Sequence, residues 1–231
     1  DRARRWTCPM IANAPIGIFG GAFAPFHNGH LRLALEAMER LDLAQVRLIP
    51  TAHPMHRPDS PISPQKRLEW VRLAIAKEKG LIADDREIKR EGPSYTIDTL
   101  LELKKWRPRT PLVLLLGADA FAHFHTWHMW KEILELAHLA VVSRPGASLL
   151  PPVEADILQG RHTDTAEAFR TVPAGLWMEL PLPLMEISST RIRRLLKAEA
   201  SVRGLLPDAI LDSLTPKDIE HLTHDDAPSK H

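Results

Sequence analysis

The run Leu-Val-Leu-Leu-Leu at residues 112–116, preceded by Pro111 and closed by Gly117-Ala118-Asp119, constrains the fold more than any other segment. It is short, unbroken and shows no alternation of apolar with polar residues, so both faces of the strand it forms must be covered. Such a strand belongs in the middle of a parallel sheet, and parallel neighbours need crossover connections, usually helices. The rest of the chain supplies both. Further strands are predicted at residues 16–19, 46–50, 140–143 and 177–180, and a charged, β-like stretch lies at 81–88. Helices are predicted at 29–40, 64–79, 96–106, 189–198 and 207–214. Leu31, Leu35, Met38 and Leu41 mark the apolar side of the first helix, and Leu100, Leu101 and Leu103 that of the helix at 96–106. The expected architecture is α/β: a single doubly wound, Rossmann-like parallel sheet with a small C-terminal helical part.

Residues 15–214 form the expected domain, after a disordered lead-in at 1–14 and before a polar tail at 215–231. Met10 is a candidate natural start. The weakly patterned stretch 147–173 reads as a variable insertion, and the proline-rich stretch 51–64 as a functional loop. The 231 residues carry a net charge of +1, which gives no global attraction to nucleic acid or membrane surfaces. Positive charge must therefore act locally if phosphates are bound. A single cysteine, Cys8, excludes an internal disulfide framework, and the expected compartment is the cytoplasm. No stretch is apolar enough to span a bilayer, and no secretion signal is visible.

The sharpest local pattern begins where the first strand ends. Gly20-Gly21-Ala22-Phe23-Ala24-Pro25 leads through Phe26 into His27-Asn28-Gly29-His30 at the start of a helix. Glycines let a backbone approach a phosphate, and a helix N-terminus offers unpaired N–H groups with a partial positive charge. Two histidines three apart share a helical face and can reach one anion. The spacing fits neither G-x-G-x-x-G nor G-x-x-x-x-G-K-[ST]. A pair of hydrogen-bonded structural histidines is the plainer alternative, and the strand–glycine–helix setting favours the phosphate reading. A metal site lacks a third ligand at suitable spacing here, and His123, His125 and His128 suit a packed loop better than a metal cluster. Near the other end, Ser188-Ser189-Thr190 precede a helix carrying Arg193 one turn along. Alone this reads as a capped basic helix, although Arg193 could fork onto phosphate oxygens.

Gly20–Leu31 resembles the signature of the nucleotidyltransferase superfamily, with its H-x-G-H core at His27–His30. Within it, residues 16–214 resemble the bacterial nicotinate-nucleotide adenylyltransferases. The resemblance implies transfer of the adenylyl group of ATP to nicotinate mononucleotide, giving deamido-NAD and pyrophosphate in NAD biosynthesis. It implies catalytic roles for His27, His30 and Arg193. ATP would be held by Gly20, Gly21, Ala22, Phe23, His27, His30, Gly117, Asp119, Arg144, Ser188, Ser189, Thr190 and Arg193. Nicotinate mononucleotide would be held by His56, Arg57, Tyr95, Thr96, Trp127 and His128, with Trp127 stacked on the pyridine ring. Mg2+ would enter with ATP, with no dedicated protein metal site, and no nucleic-acid or membrane partner is implied.

One departure stands out. The family pattern reads G-G-[TS]-F-[DN]-P, and Ala22 and Ala24 remove two polar side chains from it. Each lost loop hydrogen bond is worth roughly 0.5–1.5 kcal/mol, so the expectation is a loop that forms but is less firmly held. The same chemistry on nicotinamide mononucleotide, and a non-catalytic nucleotide-binding role, are the alternatives.

Overall fold

The computed structural model describes residues 14–52 and 60–224. Six strands, β1 (Ile16–Gly21), β2 (Gln45–Pro50), β3 (Leu81–Ala83), β4 (Leu112–Gly117), β5 (His138–Ser143) and β6 (Trp177–Pro181), form one parallel sheet in the order β3-β2-β1-β4-β5-β6. The order reverses between β1 and β4. Neighbouring crossovers there leave on opposite faces, which opens a crevice at the carboxyl ends of the two strands.

The strand β4 shows why its sequence had to be apolar throughout. Val113 and Leu115 belong to one buried cluster, whereas Leu112, Leu114 and Leu116 belong to the other. All five are at most 5% exposed. The first cluster lies under α1 (Asn28–Arg40), α2 (Pro64–Ile75) and the C-terminal helices α8 (Ser189–Lys197), α9 (Asp208–Ser213) and α10 (Pro216–His224). The second lies under α4 (Thr96–Trp106), α5 (Ala118–Ala122) and α6 (Trp130–Leu136). Two short helices, α3 (Arg86–Lys89) and α7 (Ala168–Thr171), complete the set with two 3-10 segments at Phe124–Thr126 and Val153–Gly160.

Four local expectations change. The charged stretch 81–88 is not one strand: β3 stops at Ala83, and Asp84 turns the chain into α3. Its buried carboxylate accepts from Arg47 Nε (2.6 Å) and from the backbone N–H of Arg86 (3.1 Å). Leu101 is half exposed rather than buried. The weakly patterned stretch 147–173 reaches the core at three points, since Ala155, Leu158 and Phe169 are fully buried and the Trp177 indole N–H donates to the Leu158 carbonyl at 2.7 Å. The tail is likewise not free over its first half. Thr215 and Asp218 cap α10 reciprocally, at 3.0 and 3.1 Å, and Leu222 is fully buried with contacts between α10 and α8. A helix with one apolar position per turn looks polar to the eye, and packing alone reveals its inner face. The lead-in at 1–14 lies outside the described residues except for Ala14.

Leu222→Ala is expected to lower the unfolding free energy by about 2–4 kcal/mol in urea titrations, as for other fully buried leucines. An unchanged midpoint would show that α10 is dispensable to the fold.

Candidate active site

The crevice between β1 and β4 is the place to look for chemistry, and the first strand delivers the pieces to it. Beyond Gly21 the chain turns through Ala22–Phe26, with Phe23 at φ +52° and its ring buried against Phe19 and Phe26. This loop is tethered through its own carbonyls. Arg67 Nη1 donates to Ala22 O at 2.7 Å, Arg193 Nη1 donates to Ala24 O at 2.7 Å, and Ser189 Oγ donates to Pro25 O at 3.0 Å. None of these bonds needs a polar side chain at position 22 or 24. The loop forms as expected, with three main-chain carbonyls held by side chains of remote helices.

The loop hands over to α1 through a reciprocal histidine cap. His27 Nδ1 accepts from the backbone N–H groups of Gly29 (3.0 Å) and His30 (3.3 Å), while His30 Nδ1 accepts from the His27 N–H at 3.1 Å. The two rings stack with centroids 3.6 Å apart. A Cβ at Gly29 would sit 2.8 Å from the His27 ring, so glycine at this place is a steric requirement of the cap. Because each Nδ1 is an acceptor, the neutral form of each imidazole carries its proton on Nε2. Burial holds both rings neutral: it pushes the His27 imidazole down to about 4, and His30 well below the usual histidine range, with the neighbouring His27 as a second cause. The result is a pair of uncharged N–H donors at a helix N-terminus. Such an end also attracts anions through its dipole.

Opposite α1 stands the entrance of α8. Ser188 Oγ accepts from the Arg191 N–H at 3.0 Å and caps the helix. His27, Gly29, His30, Ser188 and Ser189 line one open cleft of about 360 Å³, walled on its apolar side by Leu33, Leu184, Met185 and Ile187. Thr190 is partly buried beside it. Arg193 was expected to reach departing phosphates directly. In the structure it is buried, with Nη1 donating to Ala24 O at 2.7 Å and Nη2 to Thr190 Oγ1 at 3.2 Å.

A second cleft of about 290 Å³ opens on the other side of the crevice. Gly20, Gly21, Gly117, Thr96 and Trp127 line it, together with Thr51, Glu87 and Thr99. Tyr95 sits at its rim with its ring 4.3 Å from that of His128. Asp119 is exposed in the first turn of α5. Arg144 is also exposed and pairs with Glu186 at 3.0 Å rather than facing either cleft. His56 and Arg57 lie outside the described residues. Among the described residues no group of three or more His, Cys, Asp or Glu side chains converges as a metal cage. No described helix is long and apolar enough to cross a membrane.

Known proteins resemble this chain in sequence and fold. The chain matches the cytidylyltransferase-like family over residues 18–195. It is 43% identical to a protein of Aeromonas salmonicida over 204 residues, 87% of this chain and 95% of that one. It is 45% identical to one of Dechloromonas aromatica over 203 residues, 86% and 94% of the two chains. Both are named probable nicotinate-nucleotide adenylyltransferase. The chain belongs to the nicotinate-nucleotide adenylyltransferase family. In fold it is similar to the Plasmodium falciparum nicotinic acid mononucleotide adenylyltransferase complexed with NaAD, with a TM-score of 0.61 at 16% identity over 92% of this chain and 96% of that one.

Glu87 and Thr51 in the second cleft, and Arg67 behind the Ala22–Phe26 loop, are not among the site residues expected from the sequence of this adenylyltransferase family member. Glu87 is buried in the second cleft, accepts from Thr99 Oγ1 at 3.0 Å, and has its carboxyl pushed up chiefly by burial. The Thr51 hydroxyl is buried at the same cleft without a hydrogen-bond partner among the described residues. Arg67 is 2% exposed. Glu87 lies in a charged stretch and Arg67 within a helical repeat, and neither stands in a pattern that marks it.

His27→Ala and His30→Ala are each expected to cut steady-state turnover by a factor of about a hundred or more with the fold retained, as for other preorganised donors. Near-normal turnover would remove that ring from the chemistry. The ring state gives a separate test. Since the folded His27 value of about 4 lies below the ordinary 6.5, the unfolded chain takes up this proton first as the pH falls. This contribution to stability is full above about pH 6.5 and is drawn down between there and about pH 4. Nitrogen-15 spectra at pH 7 should show His27 as the Nε2–H tautomer, titrating near 4. An Nδ1–H tautomer, or titration near 6.5, would contradict the cap.

Proposed function

We propose that this chain joins the adenylyl group of ATP to nicotinate mononucleotide, releasing deamido-NAD and pyrophosphate. The observation that carries this reading is the pair of neutral Nε2–H donors at the head of α1, set between two clefts at the sheet's switch point. An oxygen of the acceptor phosphate attacks the α-phosphorus of ATP, and the bond to the β-phosphate oxygen breaks. The acceptor oxygen is already anionic at neutral pH, so the protein need not supply a strong base. Its work is to bring two polyanions together and to stabilise the charge that shifts toward the leaving pyrophosphate.

In this assignment His27 and His30 donate to oxygens around the reacting α-phosphate, while Ser188, Ser189 and Thr190 face the departing phosphates at the α8 entrance. Gly20, Gly21, Ala22 and Phe23 bring backbone close to ATP, and Gly117, Asp119 and Arg144 serve its nucleoside. Arg193 acts by holding Ala24 O and orienting Thr190. Thr96 and Trp127 take the pyridine end, with Tyr95 and His128 at the rim. His56 and Arg57 are assigned to the acceptor phosphate by resemblance alone. Mg2+ would accompany ATP, held largely by its phosphate oxygens and water. A cytoplasmic location suits the single cysteine and the soluble substrates. The carbonyl tethers of the Ala22–Pro25 loop weigh against a non-catalytic role.

Pyrophosphate release from ATP and Mg2+ should be faster with nicotinate mononucleotide than with nicotinamide mononucleotide at equal concentration. A preference for the amide would keep the reaction and overturn the acceptor. Release with neither would overturn adenylyl transfer itself.

A further inference from the structure

The guanidinium of Arg67 joins the two loops that leave the central strands. β1 and β2 run paired to Gly21 and Pro50, and one last bond, Thr51 N–H to Gly21 O at 3.0 Å, closes their ladder. Beyond that point the first chain turns toward His27 and His30, while Thr51 lines the second cleft. Arg67, in the first turn of α2, spans the divergence from beneath. Its Nη1 donates to Ala22 O at 2.7 Å, and its Nη2 donates to Thr51 O at 2.6 Å and Ala52 O at 3.2 Å. The side chain is 2% exposed, so it touches no solute in either cleft.

We infer that Arg67 is a positioning residue, a rigid fork that sets the gap between the ATP-side loop and the acceptor-side loop. A planar guanidinium offers donors at two fixed nitrogens and satisfies carbonyls of both loops at once; an ammonium is a single point on a flexible stem and cannot hold both in one geometry. The bonds go to backbone, so the spacing they impose is independent of side chains on either loop, including the alanines at 22 and 24. In a displacement between two bound polyanions, the separation of attacking oxygen and phosphorus governs the rate once both are bound. Disturbing the fork therefore slows the chemical step more than it weakens either substrate. This inference rests on the adenylyl-transfer reading.

The test compares wild type with Arg67→Lys, measuring the single-turnover rate at saturating ATP and nicotinate mononucleotide, the dissociation constant of each substrate alone, and the thermal midpoint. A misplacement of about 1 Å predicts a rate loss on the order of 100-fold per folded site, with each dissociation constant within about threefold of wild type. A rate that falls only in proportion to the unfolded fraction, or stays unchanged, overturns the inference. So does a loss confined to binding of one substrate. In the wild-type chain, whose folding is not in question, the Arg67 Nη resonances should shift on adding ATP alone and also on adding nicotinate mononucleotide alone. A guanidinium that answers to one or neither overturns the coupling even if the lysine variant does not fold. Wild-type pyrophosphate release, run in parallel, separates failure of the adenylyl-transfer reading from failure of this one.

Discussion

The reciprocal cap between His27 and His30 is the interaction on which the rest of the site depends. A helix start leaves N–H groups without partners, and a serine or aspartate normally satisfies one of them. Here two imidazoles do so through their Nδ1 atoms, and one contact settles three properties together. It orients both rings, it assigns the proton of each neutral ring to Nε2, and it excludes any residue but glycine at position 29. Burial then removes the charge that an exposed histidine would gain in mild acid. The structural role that the sequence offers for the pair is present in the cap, and it leaves each Nε2 as the proton-bearing nitrogen of the neutral ring. The nitrogen spent on capping is what makes the other nitrogen a donor.

The cap would be of little use on a wandering loop. The tethers of Ala22–Pro25 come from two helices distant in the chain, α2 and α8, and each approaches a carbonyl rather than a side chain. Buried arginines are costly unless their donors are met, and backbone carbonyls at a strand end are acceptors that also need partners. Each need answers the other. These bonds go to main-chain carbonyls, so they are made with alanine at positions 22 and 24.

The parallel sheet supplies the common frame. Its order reverses between β1 and β4, so the glycines ending those strands, Gly21 and Gly117, come to one crevice although they are far apart in sequence. Helices on the two faces then contribute differently. α1 and α8 line the cleft that holds His27, His30, Ser188 and Ser189, and α4 with the segment through Trp127 lines the mixed aromatic and polar cleft. Bringing two nucleotides to one point from opposite sides is what a joining reaction requires.

By itself the sequence determined five of the six strands, the sheet class and the position of the paired-histidine helix start, because each is written locally. The unbroken Leu112–Leu116 run can only be a strand covered on both faces, and the order glycine, loop, paired histidines places a helix start beside a strand end. Local patterning also placed Thr96–Trp106 to the residue, where a helix period follows a turn. It failed where partners are remote. The fate of Arg67 and Arg193 was decided by carbonyls 45 and 169 residues away, the burial of Glu87 by Thr99 and the sheet edge, and the packing of α10 by α8. A periodicity reports which face of an element is apolar, not what that face meets. Only the tertiary structure brings a guanidinium to a carbonyl or keeps an imidazole dry, because hydrogen bonding and burial depend on distance in space rather than distance along the chain.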